Sequence, residues 1–344
     1  GMPYMLSLFF YALLMGVSGK ILEKTPHFNV MVCGALLISL GWFVAFLGTG
    51  FFILSIGYGV LIGSGIGLIY GIPLTVITNR FPKRRGLYLG LVLLGFGLSP
   101  FITAPLMQSM VEAHGLHRTF LFMSGMTLLI LLSLSLFYKH SKNPDKHTGK
   151  TPLRTLLKKK SYRMLYTLFF IGTLIGLSVI GFSSSYIYSV HDYSLEEAAF
   201  FVSLFAVFNG AGRVLYGMLC DKFSIPFTMA LSFASLVLST GLVLLFPENV
   251  PLFIVAFSLL WLNLGGWLAL APLSTSALYG REEYSRNYGV LFSAYGISAL
   301  LGVFISGVLV DEMGGYQGVF AMFFILSVLG LVLTWRFKKL TSVF

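Results

Sequence analysis

The chain has 344 residues, 57% hydrophobic and 10% charged, with a net charge of +11, and a mean hydropathy of +0.88. Soluble domains carry about 25% charged residues, so the composition excludes a water-soluble globular protein and points to an all-α, multi-pass membrane protein. The long unbroken apolar segments, rather than alternating ten-residue units, argue against a strand-built barrel.

Eleven spans are predicted in chain order, at residues 3–19, 30–48, 51–78, 87–111, 119–138, 164–190, 199–220, 227–246, 251–278, 288–310 and 317–335. They are read as membrane helices because about 20 residues rising 1.5 Å each cross roughly 30 Å of hydrocarbon. The opening residues, GMPYM, carry neither a signal-peptide n-region nor a cleavage site. Lysine and arginine collect in alternate connecting segments: 20–29, 80–85, 139–163, 221–226, 281–286 and the stretch after 335 hold 21 of the 23, leaving Arg118 and Arg213. The positive-inside rule places those six segments, the linker and C-terminus among them, in the cytoplasm. The loops at Gly48, His114, His191, Pro247 and Asp311 then lie outside. The basic charge is topology set by a lipid bilayer, not a nucleic-acid surface.

In the third span Gly59, Gly63, Gly67 and Gly71 recur every four residues, beside Gly57 and Gly65. Small residues at that spacing let backbones approach, so packing is the expected role. Pro73, Pro100, Pro105 and Pro272 fall inside spans and are expected to bend them. The linker at 139–163 is the one long polar stretch. Within it Thr151-Pro152 reads as a helix start, with Leu153, Leu156 and Leu157 opposite Arg154 and Lys158. A short interfacial helix and an ordinary basic linker are both compatible with that pattern.

Arg213 sits inside the span at 199–220, eight residues from Asp221 at its polar end, which is about 12 Å of helix. A charge at membrane depth must be paired or is very costly. The twelve acidic residues all lie in loops or at span ends, so an anionic ligand is the expected partner, with backbone carbonyls or water as the competing structural explanation. The guanidinium fork suits a carboxylate. On helical spacing Ala206, Asn209, Gly210, Tyr216 and Gly217 share or flank its face.

Self-comparison reveals a repeat. GLVLLGFG at 90–97 aligns with GVLFSAYG at 289–296, and Gly115 and Phe120 match Gly315 and Phe320. Gly19, Lys24 and Pro26 match Gly217, Lys222 and Pro226, so the offset throughout is 198 to 200 residues. The chain reads as two copies of one six-helix unit. The copy-one partner of the span at 164–190 is expected to lie before residue 1, leaving that helix missing. The boundaries are 1–138 for the first bundle, 139–163 for the linker and 164–344 for the second bundle. Arg213 maps onto Met15, Asn209 onto Tyr11 and Tyr295 onto Phe96.

GMLCDK at 217–222, and GKILEK at 19–24 more distantly, resemble the cytoplasmic G-x-x-x-D/E-R/K signature of the major facilitator superfamily. Gly217, Asp221, Lys222, Gly19, Glu23 and Lys24 are its gating residues by that resemblance, although Thr25-Pro26-His27-Phe28 replaces the usual continuation of the first copy. The segments 63–97, 209–222 and 271–296 are similar to the oxalate/formate antiporter family and its monocarboxylate-porter relatives. That resemblance implies the major facilitator fold, two pseudo-symmetric bundles and a substrate site at their interface near mid-membrane. It also implies that Arg213 is the substrate-carboxylate arginine. Oxalate-handling members carry a lysine where Tyr295 stands here.

The expected function is secondary transport of a small organic anion, foremost a monocarboxylate, by alternating access in exchange or uniport. The expected setting is a bacterial cytoplasmic (inner) membrane, with a monomeric protein and no cofactor. Arg213 and Asn209 head the candidate substrate residues, followed by Tyr295, Tyr11, Tyr70, Tyr186 and Trp267; packing or an interfacial belt is the competing role for each aromatic. Proton symport and oxalate/formate exchange are the transport alternatives. A transport-dead sensor or truncated remnant is the non-transport one. The six histidines and two cysteines are scattered, without the nucleophile, base or metal cluster an enzyme needs.

Overall fold

The structure, a computed structural model, describes residues 2–22, 24–48, 50–81, 84–139, 153–280 and 283–341, with backbone alone at 79, 100, 104, 105 and 153. In order the helices are α1 (Met2–Leu22), α2 (His27–Leu47), α3 (Phe51–Leu54), α4 (Gly63–Arg80), α5 (Arg85–His114), α6 (Leu116–Ser135) and α7 (Leu153–Lys158). Then follow α8 (Lys160–His191), α9 (Leu195–Lys222), α10 (Ile225–Leu245), α11 (Val250–Tyr279), α12 (Tyr284–Met313) and α13 (Gln317–Thr341). Among the described residues there are eleven membrane-length apolar segments, each overlapping one of the eleven predicted spans. The ends have local causes. Asp192 closes α8 in the left-handed region at φ 54°, and α9 opens on a capping box in which Ser194 and Glu197 satisfy each other's backbone N–H groups.

Contacts divide the chain into two compact units. Unit 1 comprises Gly1–Arg80, Ile102–Pro152 and Thr275–Leu300; unit 2 comprises Phe81–Phe101, Leu153–Ser274 and Leu301–Phe344. This grouping differs from the sequence halves ending at 138 and starting at 164, because α5, α12 and the last turn of α11 from Thr275 are divided between the units.

In unit 1 the glycine stripe of α4 and the π-helical turn before it, Ser55–Ile62, packs on α1. A methyl on Gly63 would lie 2.5 Å from the Ser7 carbonyl oxygen, and one on Gly67 would strike that of Tyr11. Gly57 and Gly65 face α2 instead, each 2.7 Å on the same measure from a carbonyl, Gly41 and Gly34 respectively. Packing accounts for the stripe. Between α2 and α6, the Ser39 and Ser124 hydroxyls bond each other and each other's carbonyls at 2.8–3.0 Å.

The departure of α5 and α12 has one cause, expressed twice. In unit 2 a methyl on Gly90 would sit 2.6 Å from the Arg213 carbonyl oxygen, and Gly86 and Gly217 meet backbone to backbone. In unit 1 a methyl on Gly289 would sit 2.6 Å from the Met15 carbonyl oxygen, and one on Gly19 would sit 2.5 Å from that of Ser285. Gly90 and Gly289, like Gly86 and Ser285, are 199 residues apart; Met15 and Arg213, like Gly19 and Gly217, are 198 apart. The repeat read in the sequence is therefore a repeat of helix contacts, α5 on α9 and α12 on α1.

The linker's short helix is α7, packed on α8. It buries Leu156 to 3% exposure and leaves Leu157 at 42%, so the two leucines do not share one buried face. Thr151-Pro152 and most of the linker lie outside the described residues.

Candidate functional site

Arg213 stands within α9 and is only 3% exposed. Two of its nitrogens reach neutral acceptors in unit 2: Nη1 donates to the Leu93 carbonyl at 2.8 Å, and Nη2 donates to Asn209 Oδ1 at 3.1 Å. Its guanidinium carbon lies 5.1 Å from the centre of the Phe96 ring, within cation–π range. Room for this head comes from Gly97, where a methyl would crowd Nε at 3.1 Å; Gly210 instead faces Leu94 and Leu98. Asn209 Nδ2 donates to the Trp261 carbonyl at 3.2 Å. That bond turns Oδ1 toward Arg213, so Asn209 orients the guanidinium, as its four-residue spacing predicts. Neutral acceptors satisfy donors without supplying an opposite charge. Tyr216, another predicted neighbour, turns away to donate to Asn263 Oδ1 at 2.8 Å, in a knot completed by Ser232 and Ser235.

Tyr11, Tyr70 and Tyr295 come together in unit 1. Tyr11 lies 5.1 Å from Tyr70 and 6.0 Å from Tyr295 between ring centres, and Phe292 touches all three at 4.9–5.8 Å. The rings are buried, at 3% exposure for Tyr11, 8% for Tyr70 and 5% for Tyr295. Tyr186 and Trp267 lie in other aromatic groups. Tyr186 stacks among Phe253, Phe257, Tyr316 and Phe320 near the end of α8. Trp267 is fully buried against Phe169 and Phe233, with its indole on Gly172.

The signature residues hold helix ends. Asp221 accepts from the Gly86 and Leu87 N–H groups, both at 2.9 Å. A carboxylate on the first N–H groups of α5 satisfies orphan donors and opposes the helix dipole. Gly217 allows that approach, and Lys222 lies 5.5 Å from the Phe223 ring centre. In the first copy Gly19 meets Ser285, Lys24 sits in the turn after α1, and Glu23 lies outside the described residues.

Leu93, Phe96 and Gly97 are not legible in the sequence as neighbours of Arg213. A main-chain carbonyl has no side-chain signature, and Leu93 is 120 positions away. The repeat holds the one available clue, since Phe96 is the mate of Tyr295.

The Major Facilitator Superfamily model matches this chain over residues 1–277 and 197–342. An uncharacterized MFS-type transporter of Escherichia coli K12, YhjX, is 25% identical over 290 residues, covering 83% of this chain and 72% of the relative. The oxalate:formate antiporter of Oxalobacter formigenes is 26% identical over 303 residues, covering 84% and 70%. Bovine monocarboxylate transporter 13 is 29% identical over 320 residues, covering 88% and 72%. Among solved structures, the outward conformation of FucP superposes with a TM-score of 0.77 at 14% identity, covering 97% of this chain and 89% of that one. The human organic anion transporter MFSD10 gives 0.71 at 13%, covering 97% and 82%; these likenesses concern the fold.

Proposed function

This chain belongs to the major facilitator superfamily, a membrane transporter rather than an enzyme, and from that premise we propose that it carries a small monocarboxylate, with Arg213 as the group that binds the carboxylate. The observation that carries this reading is a guanidinium buried to 3% within a membrane-length helix, with neutral acceptors on two of its nitrogens. A carboxylate taking the place of the Leu93 carbonyl meets the planar fork with charge-assisted bonds, which are roughly twice as strong as neutral ones. Binding then loosens the hold of α9 on α5, which links occupancy to movement of those helices in alternating access.

The names of the relatives fit this substrate class: one is an oxalate:formate antiporter and others are monocarboxylate transporters. Tyr295 favours a single charge. A dianion opposite one arginine leaves a charge uncompensated in a low-dielectric site, at a cost of several kcal/mol. Tyr11, Tyr70 and Tyr295, grouped within unit 1, and Tyr186 and Trp267, in unit 2, are candidates for substrate contact from the sequence, with packing as the competing role for each. Exchange or uniport fits a chain whose carboxylates, among the described residues, stand in loops or near helix ends. The basic segments, linker and C-terminus face the cytoplasm by the positive-inside rule, and residues 1–138 and 164–344 act as the two moving halves.

Competition against a labelled monocarboxylate in reconstituted vesicles tests the assignment. Formate, lactate or pyruvate is expected to displace the label better than oxalate. Superior displacement by oxalate favours the antiporter-like alternative and would sink the monocarboxylate reading.

A further inference from the structure

The last two turns of α13 form one wall of a groove that opens at the basic end of α8. Lys160, Arg163, Met164 and Thr167 line it from α8, and Leu333 and Leu340 from α13, enclosing about 330 Å³. Lys160 opens α8 and Leu340 stands in the last turn of α13, while Thr167 and Leu333 each lie seven residues further into their helix, about 10 Å along its axis. The two cations lie three residues apart on one face of α8, and Met164, Leu333 and Leu340 are the apolar lining residues. The Thr167 hydroxyl donates to the Arg163 carbonyl at 3.1 Å, so its polar group is met within its own helix. None of the residues named as lining the groove is acidic.

We propose that this groove seats an anionic phospholipid, with the phosphate on Lys160 and Arg163 and the upper part of one acyl chain between Met164, Leu333 and Leu340. The guanidinium and ammonium supply charge complementarity to a phosphodiester, and the guanidinium adds a bidentate fork. The apolar lining commits the site to a lipid rather than to free phosphate, because a soluble anion leaves those residues uncovered. Helix clefts with basic rims are suited to anionic headgroups. A second groove, between α10 and α13, provides the contrast within the same protein. It encloses about 320 Å³ between Phe227, Ala230, Leu331 and Trp335, and Lys338 is its one lining cation. The neighbouring Lys339 lies 4.8 Å from the Trp335 ring centre. Headgroup selection belongs to the first groove. The inference does not depend on the substrate of transport.

Native mass spectrometry of the delipidated full chain tests it, with phosphatidylglycerol, phosphatidylcholine, glycerophosphoglycerol and inorganic phosphate added separately. About 1 kcal/mol for each basic residue near an anionic surface is about fivefold in affinity, so two cations give phosphatidylglycerol roughly a thirtyfold preference over phosphatidylcholine. The Lys160→Gln/Arg163→Gln double variant is expected to bring that preference below about threefold, and Lys338→Gln to leave it within about twofold of the parent. Leu333→Trp, which fills the groove and keeps both cations, is expected to lower phosphatidylglycerol retention. Equal retention of the two lipids by the parent, or a preference that survives the double variant, would overturn the proposal. So would competition by glycerophosphoglycerol or inorganic phosphate at the concentration at which the lipid competes, since the site would then read phosphate alone.

Discussion

Where α9 meets α5 in unit 2 and where α1 meets α12 in unit 1, the backbone does the same thing and the side chains do opposite things. Gly90 and Gly289 lie equally close to a carbonyl, that of Arg213 in one and Met15 in the other. Around the first contact stand Arg213, Asn209 and Phe96, joined by hydrogen bonds and a cation–π contact. Around the second stand Met15, which is buried, and Tyr11 and Tyr295, joined by ring packing. A duplicated scaffold fixes how near two helices come. What the position can bind is then decided by a few substitutions, so one copy carries a charge suited to an anion and the other a group of phenols. Packing alone explains the glycines of both contacts; it does not explain a buried cation in one of them.

The comparison breaks most visibly at its charged member. Arg213→Gln is expected to lower transport about a hundredfold, the equivalent of losing about 3 kcal/mol of charge-assisted binding. Arg213→Lys keeps charge without the fork and is expected to fall between, whereas Met15→Leu at the matching site changes uptake less than about threefold. Uptake normalised to inserted protein decides this, and equal losses at the two positions would erase the distinction. Gly90→Ala and Gly289→Ala should cost alike, about 1–3 kcal/mol each, because each methyl meets a backbone carbonyl that cannot turn aside. Thermal unfolding in detergent reads both, and a large cost at only one would show that the contacts are not equivalent. Removing the α5 cap with Asp221→Ala is expected to cost about 1 kcal/mol in the same assay. Tyr295→Phe is expected to be read in competition assays, as weaker discrimination for keto and hydroxy acids over formate.

Much of this architecture is legible in the order of the amino acids. The eleven spans follow from hydropathy and length, and the repeat follows from glycines that reappear as paired helix contacts. The Gly59, Gly63, Gly67 and Gly71 stripe shows its packing role through spacing alone. Asn209 is readable as a partner of Arg213 because four residues is about one helical turn. What stays hidden depends on long-range packing. Apart from the repeat, which pairs Phe96 with Tyr295, the sequence does not place the Leu93 carbonyl or the Phe96 ring against α9, nor does it separate Tyr295 from Tyr186 and Trp267, since all three are aromatic residues in apolar helices. The exchange of α5 and α12 segments between units is equally hidden, because sequence boundaries follow the linker and contacts follow the glycines. The π-helical turn at Ser55–Ile62 has no evident signature beyond its clustered glycines.

The central claim is that Arg213 supplies the charge that holds a carboxylate, and equilibrium binding tests it most directly. Purified parent and Arg213→Gln, matched by circular dichroism and elution as folded monodisperse protein, are titrated with a labelled monocarboxylate such as formate. Saturable binding by the parent and a loss of about a hundredfold in affinity for the variant is the expected result. Unchanged affinity in a folded Arg213→Gln would contradict the account and leave the arginine a structural group held by Leu93 and Asn209.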